Sequence, residues 1–314
     1  MKKILRFSLR VLLIIFVLFN FIAAFHAYKF THFYNDGEVT IKAAGNITGW
    51  DKAKAILFGI NYVKSKNLET PQKEYETVYF NTADNIKLEG WYIKTDSAKG
   101  TVILFHGHGS SKSKLLDEAN YFNSIGYNTL LMDFRAHGGS GGNTCTIGAD
   151  EAEDVKLAYD FIQSKGEKNI VLWGISLGAA TITHAVSKYK LTPRKVILEM
   201  PFASLLEAVK GRVRIMGLPT QPIASFLTFW GGVERGFWAF NLKPCEYAKA
   251  IQCPVLLQWG AKDVRVTRQE IECIYKNLGT SNKKLIVYET AKHESLCDKE
   301  PQKWRSEVKL FLGN

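Results

Sequence analysis

Short apolar runs recur along the chain from residue 75 onward, and segments with helical spacing separate the later ones. The runs at 75–80, 86–94, 101–105, 127–132, 169–173, 195–199, 254–259 and 284–289 have the length and composition of strands. Helices are predicted at 112–124, 147–165, 177–188, 267–277 and 301–312. Strand alternating with helix predicts an α/β protein, a mostly parallel sheet with helices on both faces. From 203 to about 245 the alternation breaks, and aromatic residues cluster there, among them Phe226, Phe229, Trp230, Phe237 and Trp238.

The first 28 residues follow a different pattern. Lys2, Lys3, Arg6 and Arg10 precede an apolar stretch at 11–25, which reaches residue 28 if His26, Ala27 and Tyr28 join it. A positive end followed by such a run is an export signal, intermediate in length between a signal-peptide core and a minimal membrane span. No small-residue cleavage site follows, so an uncleaved signal anchor is expected over a cleaved signal peptide. The positive cluster predicts the N-terminus inside and the rest of the chain on the outer, periplasmic or extracellular face of the cytoplasmic membrane. Cleavage would instead make the protein secreted. Residues 29–72 are a polar lead-in; within them 50–62 has helical spacing that suits packing on the body or lying on the membrane surface.

Candidate chemistry centres on Gly174-Ile175-Ser176-Leu177-Gly178, between the strand at 169–173 and the helix at 177–188. A chain reverses that sharply only if the serine takes a strained conformation and its neighbours two away lack side chains. A serine hydroxyl needs a histidine base, and the histidine needs a carboxylate to fix its tautomer. Asp263 follows the strand at 254–259 and His293 follows the strand at 284–289. Both therefore sit where ligands gather in open α/β sheets. The strand at 101–105 ends in His106-Gly107-His108-Gly109-Ser110.

Together these segments resemble the α/β-hydrolases, in the membrane-anchored, acyl-peptidase or serine-aminopeptidase-like branch, over roughly residues 72–314. The resemblance implies an eight-stranded sheet with the second strand antiparallel, and a small helical cap at about 203–245. It assigns Ser176 as nucleophile, His293 as base, Asp263 as its orienting acid, and the backbone N–H groups of His108 and Leu177 as the oxyanion hole. It also implies that the turn Asp133-Phe134-Arg135-Ala136-His137-Gly138-Gly139-Ser140 holds a loop, which leaves Ser140 without a nucleophilic role. The sequence departs from the family pattern in His108-Gly109 after the His-Gly pair and in Glu294 in place of a small residue. The implied domain runs over 73–314.

Composition adds constraints. The net charge is +11, partly from the N-terminal cluster, but no basic run interleaves with aromatics, so no nucleic-acid partner is expected. His106, His108 and His137 lack the Cys or carboxylate spacing of a metal site, and neither metal nor cofactor is expected. Of Cys145, Cys245, Cys253, Cys273 and Cys297, an odd number for an exported domain, Cys245 and Cys253 are one pair that could bridge. The functional expectation is a serine hydrolase cleaving a carboxylic ester or thioester of a small or lipid-like acyl substrate through an acyl-enzyme. An amidase or peptidase using the same triad is the first alternative; a catalytically silent binding or scaffold module is the second. Oligomeric state is left open.

Overall fold

The computed structural model describes residues 2–35 and 49–313; residues 36–48 of the lead-in fall outside them. Helix α1 (Lys2–Thr31) runs three residues past the predicted hydrophobic segment and leads into strand β1 (Phe33–Tyr34). Helix α2 (Gly49–Phe58) covers most of the stretch with helical spacing, and strand β2 (Tyr62–Val63) pairs in parallel with β1.

The main sheet is built from β3 (Tyr75–Asn81), β4 (Lys87–Ile93), β5 (Thr101–Phe105), β6 (Asn128–Asp133), β7 (Ile170–Ile175), β8 (Lys195–Glu199), β9 (Val255–Gly260) and β10 (Lys283–Tyr288). Their order across the sheet is β10-β9-β8-β7-β5-β6-β4-β3, and β4 alone runs antiparallel to its neighbours. The β3–β4 connection is a tight turn, which suffices for an antiparallel pair. The parallel neighbours need crossovers, most of them helical. Helices α3 (Leu116–Ser124), α4 (Glu151–Ser164) and α5 (Leu177–Tyr189) serve β5 to β8. Between β8 and β9 come α6 (Leu205–Ile215), α7 (Ile223–Arg235) and the short α8 (Pro244–Tyr247). Helix α9 (Arg268–Asn277) joins β9 to β10, and α10 (Leu296–Lys299) and α11 (Pro301–Leu312) close the chain.

Helices α4 and α5 pack together on one face of the sheet, while α3 and α11 meet on the other through Phe122 and Trp304. Coverage on both faces buries every residue of β5 and β9, which explains why these strands read as near-continuous apolar runs. After β5 the chain adds β6 on one side, then crosses back to add β7 on the other. That reversal opens a crevice at the C-terminal ends of β5 and β7, where ligands bind in open α/β sheets.

Three local expectations are revised. The helix predicted from 112 begins as a 3-10 turn at Lys112–Leu115, because the Lys112 N–H and ammonium are both held by Asp133. The helix predicted from 147 begins at Glu151, whose carboxylate accepts from the N–H groups of Thr146 and Gly148 at 2.9 and 2.7 Å and so fixes those residues outside the helix. Cys245 bridges Cys273, not Cys253, because α8 packs on α9 and brings those two Cα atoms to 5.9 Å. Cys145, Cys253 and Cys297 are free.

Candidate active site

Strand β7 ends at Ile175, α5 begins at Leu177, and Ser176 between them has φ 54° and ψ −111°. A non-glycine residue held there stores strain, so the surroundings must impose it. They do so by close approach. A Cβ on Gly178 would lie 2.2 Å from the Phe105 carbonyl oxygen, and one on Gly174 would lie 2.6 Å from the Gly178 carbonyl carbon. Only glycine at both positions lets α5 start directly against β5 and β7. The Ser176 N–H donates to the Glu199 carbonyl at 2.7 Å, tying the turn to β8.

Long-range folding then brings the other two predicted side chains to the serine. His293 Nε2 lies 2.8 Å from Ser176 Oγ, and His293 Nδ1 lies 2.6 Å from Asp263 Oδ2. The second Asp263 oxygen accepts from the N–H groups of Arg265 and Val266 at 2.7 and 3.0 Å, so the carboxylate cannot rotate freely. The loops carrying the two residues are also joined, with the Lys262 N–H donating to the Ala291 carbonyl at 3.0 Å. Burial lowers the His293 pKa below its ordinary value; the bond to Asp263 and its charge act in the opposite direction, while Arg265 and Arg212 add to the lowering. At neutral pH the ring is therefore neutral, with Nδ1–H donating to Asp263 and Nε2 free to accept from the serine.

His108 and Leu177 flank the serine from the other side. Among the described residues, neither backbone N–H has a protein acceptor. Leu177 is the first residue of α5, where the helix leaves its N–H groups unclaimed and its dipole favours negative charge. His106 holds the neighbouring loop: its Nε2 accepts from the Phe134 N–H at 3.2 Å and its Nδ1 donates to the Gly107 carbonyl at 2.8 Å. His137 Nε2 accepts from the Gly109 N–H at 3.0 Å. Burial, aided by His106, pushes the His137 pKa down to about 3, as that acceptor role requires.

The 133–140 turn is a scaffold. Asp133 accepts from Lys112, Asn67 and the Gly139 N–H, and Arg135 is clamped on Asp154 and Glu153. Ser140 Oγ is buried, donates to the Asp133 carbonyl at 2.7 Å and accepts from the Glu89 N–H at 2.9 Å, so its hydroxyl is committed to backbone groups.

Two features escaped the sequence. Behind the elbow, Glu199 Oε1 receives three side-chain donors: Trp173 and Gln258 at 3.0 Å each and Trp304 at 2.6 Å. Burial pushes its carboxyl up to about 8, so it is protonated at neutral pH. A carboxylate at the end of an apolar strand was the available signal. The second is Phe30 of α1, whose ring stacks on the His108 imidazole at 5.1 Å. No local pattern announces that contact.

A mostly parallel eight-stranded sheet with one antiparallel strand, a serine at a strand-to-helix elbow and a histidine after the last strand together define an α/β-hydrolase. Comparison with known proteins agrees, and the chain belongs to the α/β-hydrolase superfamily. A family model described as serine aminopeptidase, S33 (Hydrolase_4) matches residues 96–228. The solved structure of the Pyrococcus furiosus esterase Pf2001 is similar at 28% identity and a TM-score of 0.67, covering 79% of this chain and 95% of the esterase. The membrane protein YNL320W of Saccharomyces cerevisiae is 26% identical over 234 residues, 72% of this chain and 77% of its own. The lysophosphatidylserine lipase ABHD12 of Danio rerio is 26% identical over 208 residues, 62% of this chain and 51% of its own.

Proposed function

We propose that the protein is a membrane-anchored serine hydrolase that cleaves a carboxylic ester or thioester through an acyl-enzyme. The observation that carries this reading is the hydrogen-bonded line Ser176–His293–Asp263, beside two backbone N–H groups with no protein acceptor among the described residues. Ser176 Oγ attacks the substrate carbonyl carbon while His293 Nε2 takes its proton. Negative charge gathers on the carbonyl oxygen, within reach of the His108 and Leu177 N–H groups. Preorganised donors of this kind lower the barrier by about 3–4 kcal/mol each. Collapse of the tetrahedral species breaks the bond to the leaving oxygen or sulfur, which takes the proton from His293. Water, deprotonated in turn by His293, attacks the acyl-serine and releases the carboxylic acid, regenerating Ser176. The chemistry calls for no metal or cofactor.

An ester is favoured over an amide by two similar proteins, the Pf2001 esterase and a lysophospholipid lipase. Anchoring is supported by α1, 30 residues long with a mean hydropathy of 2.4 over its most apolar window. Its C-terminal half packs against α7, which favours retention over cleavage. The Lys2, Lys3, Arg6 and Arg10 cluster supports an N-terminus inside and a hydrolase body outside. A fluorophosphonate probe should label the wild-type chain and fail to label Ser176→Ala; equal labelling refutes the assignment. Turnover of aminoacyl-anilides in preference to p-nitrophenyl esters would replace the esterase reading with a peptidase. A wild-type chain that takes no probe would point to a silent module.

A further inference from the structure

Every residue of helix α1 from 2 to 18 is exposed, and from Phe16 on the helix engages the body of the protein. Phe16 and Phe19 meet Phe226 of α7 edge-on, with ring centroids 6.1 and 4.9 Å apart. Trp230 Nε1 donates to Asn20 Oδ1 at 3.0 Å, and Arg235 Nε donates to Thr31 Oγ1 at 2.8 Å. Ala23, Ala27 and Thr31 are buried along this seam.

Between α1, α2, α6 and α7 lies a half-open cavity of about 640 Å³, a size typical of small-molecule sites. Phe19, Ile22 and Ala23 form its wall on α1, Val209 and Val213 on α6, and Leu227 on α7. It adjoins the small cleft that holds Ser176 and His293, and Phe30, Ile147, Arg212 and Arg265 line both. Water filling so apolar a chamber would forgo hydrogen bonds. A hydrocarbon chain leaving the bilayer for it exchanges one apolar surrounding for another, and the helix that would sit in the bilayer is already one of its walls.

Polarity is concentrated at the neck. Arg212 lies over the Phe30 ring with its guanidinium carbon 5.8 Å from the centroid. Neither Arg212 nor Arg265 has a carboxylate partner within ion-pair distance among the described residues. Burial, with Arg212 nearby, pulls the Arg265 pKa down to about 10. Two neighbouring guanidiniums in an apolar neck repel each other, and one shared anion relieves both. Their planar donors match phosphate geometry in particular.

We infer that the site takes a single-chain lipid ester carrying a phosphate head group, with its acyl chain between α1, α6 and α7, its carbonyl at Ser176 and its phosphate on Arg212 and Arg265. Helix α1 is then a wall of the substrate site as well as an anchor. The inference rests on the serine-hydrolase reading above.

The test uses the full chain in detergent micelles, with rates expressed per active site titrated by a fluorophosphonate so that misfolded protein drops out. The substrates are 1-palmitoyl-lysophosphatidylglycerol, 1-palmitoylglycerol, which has the same ester without phosphate, and p-nitrophenyl palmitate and acetate. Wild-type kcat/KM should favour the phosphate-bearing lipid over its neutral counterpart by about tenfold or more, and Arg212→Gln or Arg265→Gln should remove most of that preference. Ala27→Trp and Leu227→Trp fill the chamber from opposite walls. Each should lower the palmitate-to-acetate ratio of kcat/KM about tenfold or more. Leu12→Ala, on the exposed stretch of α1, should change neither ratio. Equal rates on the two glycerolipids, or unaltered chain-length preference in both tryptophan variants, would overturn the inference. Protein that takes no fluorophosphonate would fail the serine-hydrolase reading instead, so the two failures are distinguishable.

Discussion

Replacing Asp263 by Asn isolates the role of one carboxylate oxygen. Asp263 Oδ1 receives the Arg265 and Val266 N–H groups, and Oδ2 receives His293 Nδ1–H at 2.6 Å. In Asp263→Asn the amide oxygen stays with the two backbone donors, because an NH2 group cannot accept from them. The amide nitrogen then faces His293 Nδ1 and donates to it. The ring is forced into the Nε2–H tautomer, which points a proton at Ser176 Oγ and removes the base. Loss of the correct tautomer in an Asp-His-Ser triad costs about 10⁴-fold in kcat, or about 5.5 kcal/mol of transition-state stabilisation. Fold stability should change far less, by at most about 1.5–3 kcal/mol, because a neutral hydrogen bond replaces the charged one. The assay is kcat for p-nitrophenyl butyrate with active-site titration, alongside thermal unfolding of both proteins. In wild type the base works only when unprotonated, and burial lowers its pKa below the usual imidazole value. Activity should therefore rise with pH to a plateau already reached by neutral pH. A folded Asp263→Asn protein within about tenfold of wild-type kcat would refute the tautomer argument.

The elbow and the carboxyl behind it yield two more predictions. Gly178→Ala places a Cβ 2.2 Å from the Phe105 carbonyl oxygen, a backbone atom that cannot swing away. The variant should either fail to fold or lose probe labelling of Ser176, and a folded, fully labelled protein would show that the elbow tolerates side chains. Glu199 has a folded-state pKa raised to about 8 from the ordinary 4.5. The stability it contributes is complete below the unfolded pKa and is lost as pH rises through about 8. Thermal unfolding followed from pH 4 to pH 9 should therefore show a decline between about pH 4.5 and pH 8 in wild type that Glu199→Gln lacks, and parallel curves across that window would contradict a buried neutral carboxyl.

Much of the fold was legible because its signals are local. Strands buried on both faces must be almost continuously apolar, so β5, β7 and β9 stand out wherever the rest of the chain lies. Helix starts were less legible. Glu151 and Asp133 set them through side-chain bonds to backbone N–H groups, and helix propensity does not encode such bonds. The Cys245–Cys273 bridge was similarly hidden, since proximity in sequence says nothing about which helices face each other.

The sequence by itself determined the elbow and the candidate partners of Ser176. A strand-turn-helix reversal needs Gly174 and Gly178, and a polar residue just past a parallel strand has few other places to be. Tertiary structure alone decided that His293 meets Ser176, and Asp263 meets His293, at hydrogen-bond distance, across separations of 117 and 30 residues. It alone set the three donors on Glu199 and the docking of α1 against α7. An apolar helix near the N-terminus carries the same hydrophobic pattern whether it only crosses a membrane or also walls a cavity. The difference lies in Ala23, Ala27 and Phe30 finding surfaces two hundred residues away in the chain or folded against it, and packing of that range leaves no periodic trace.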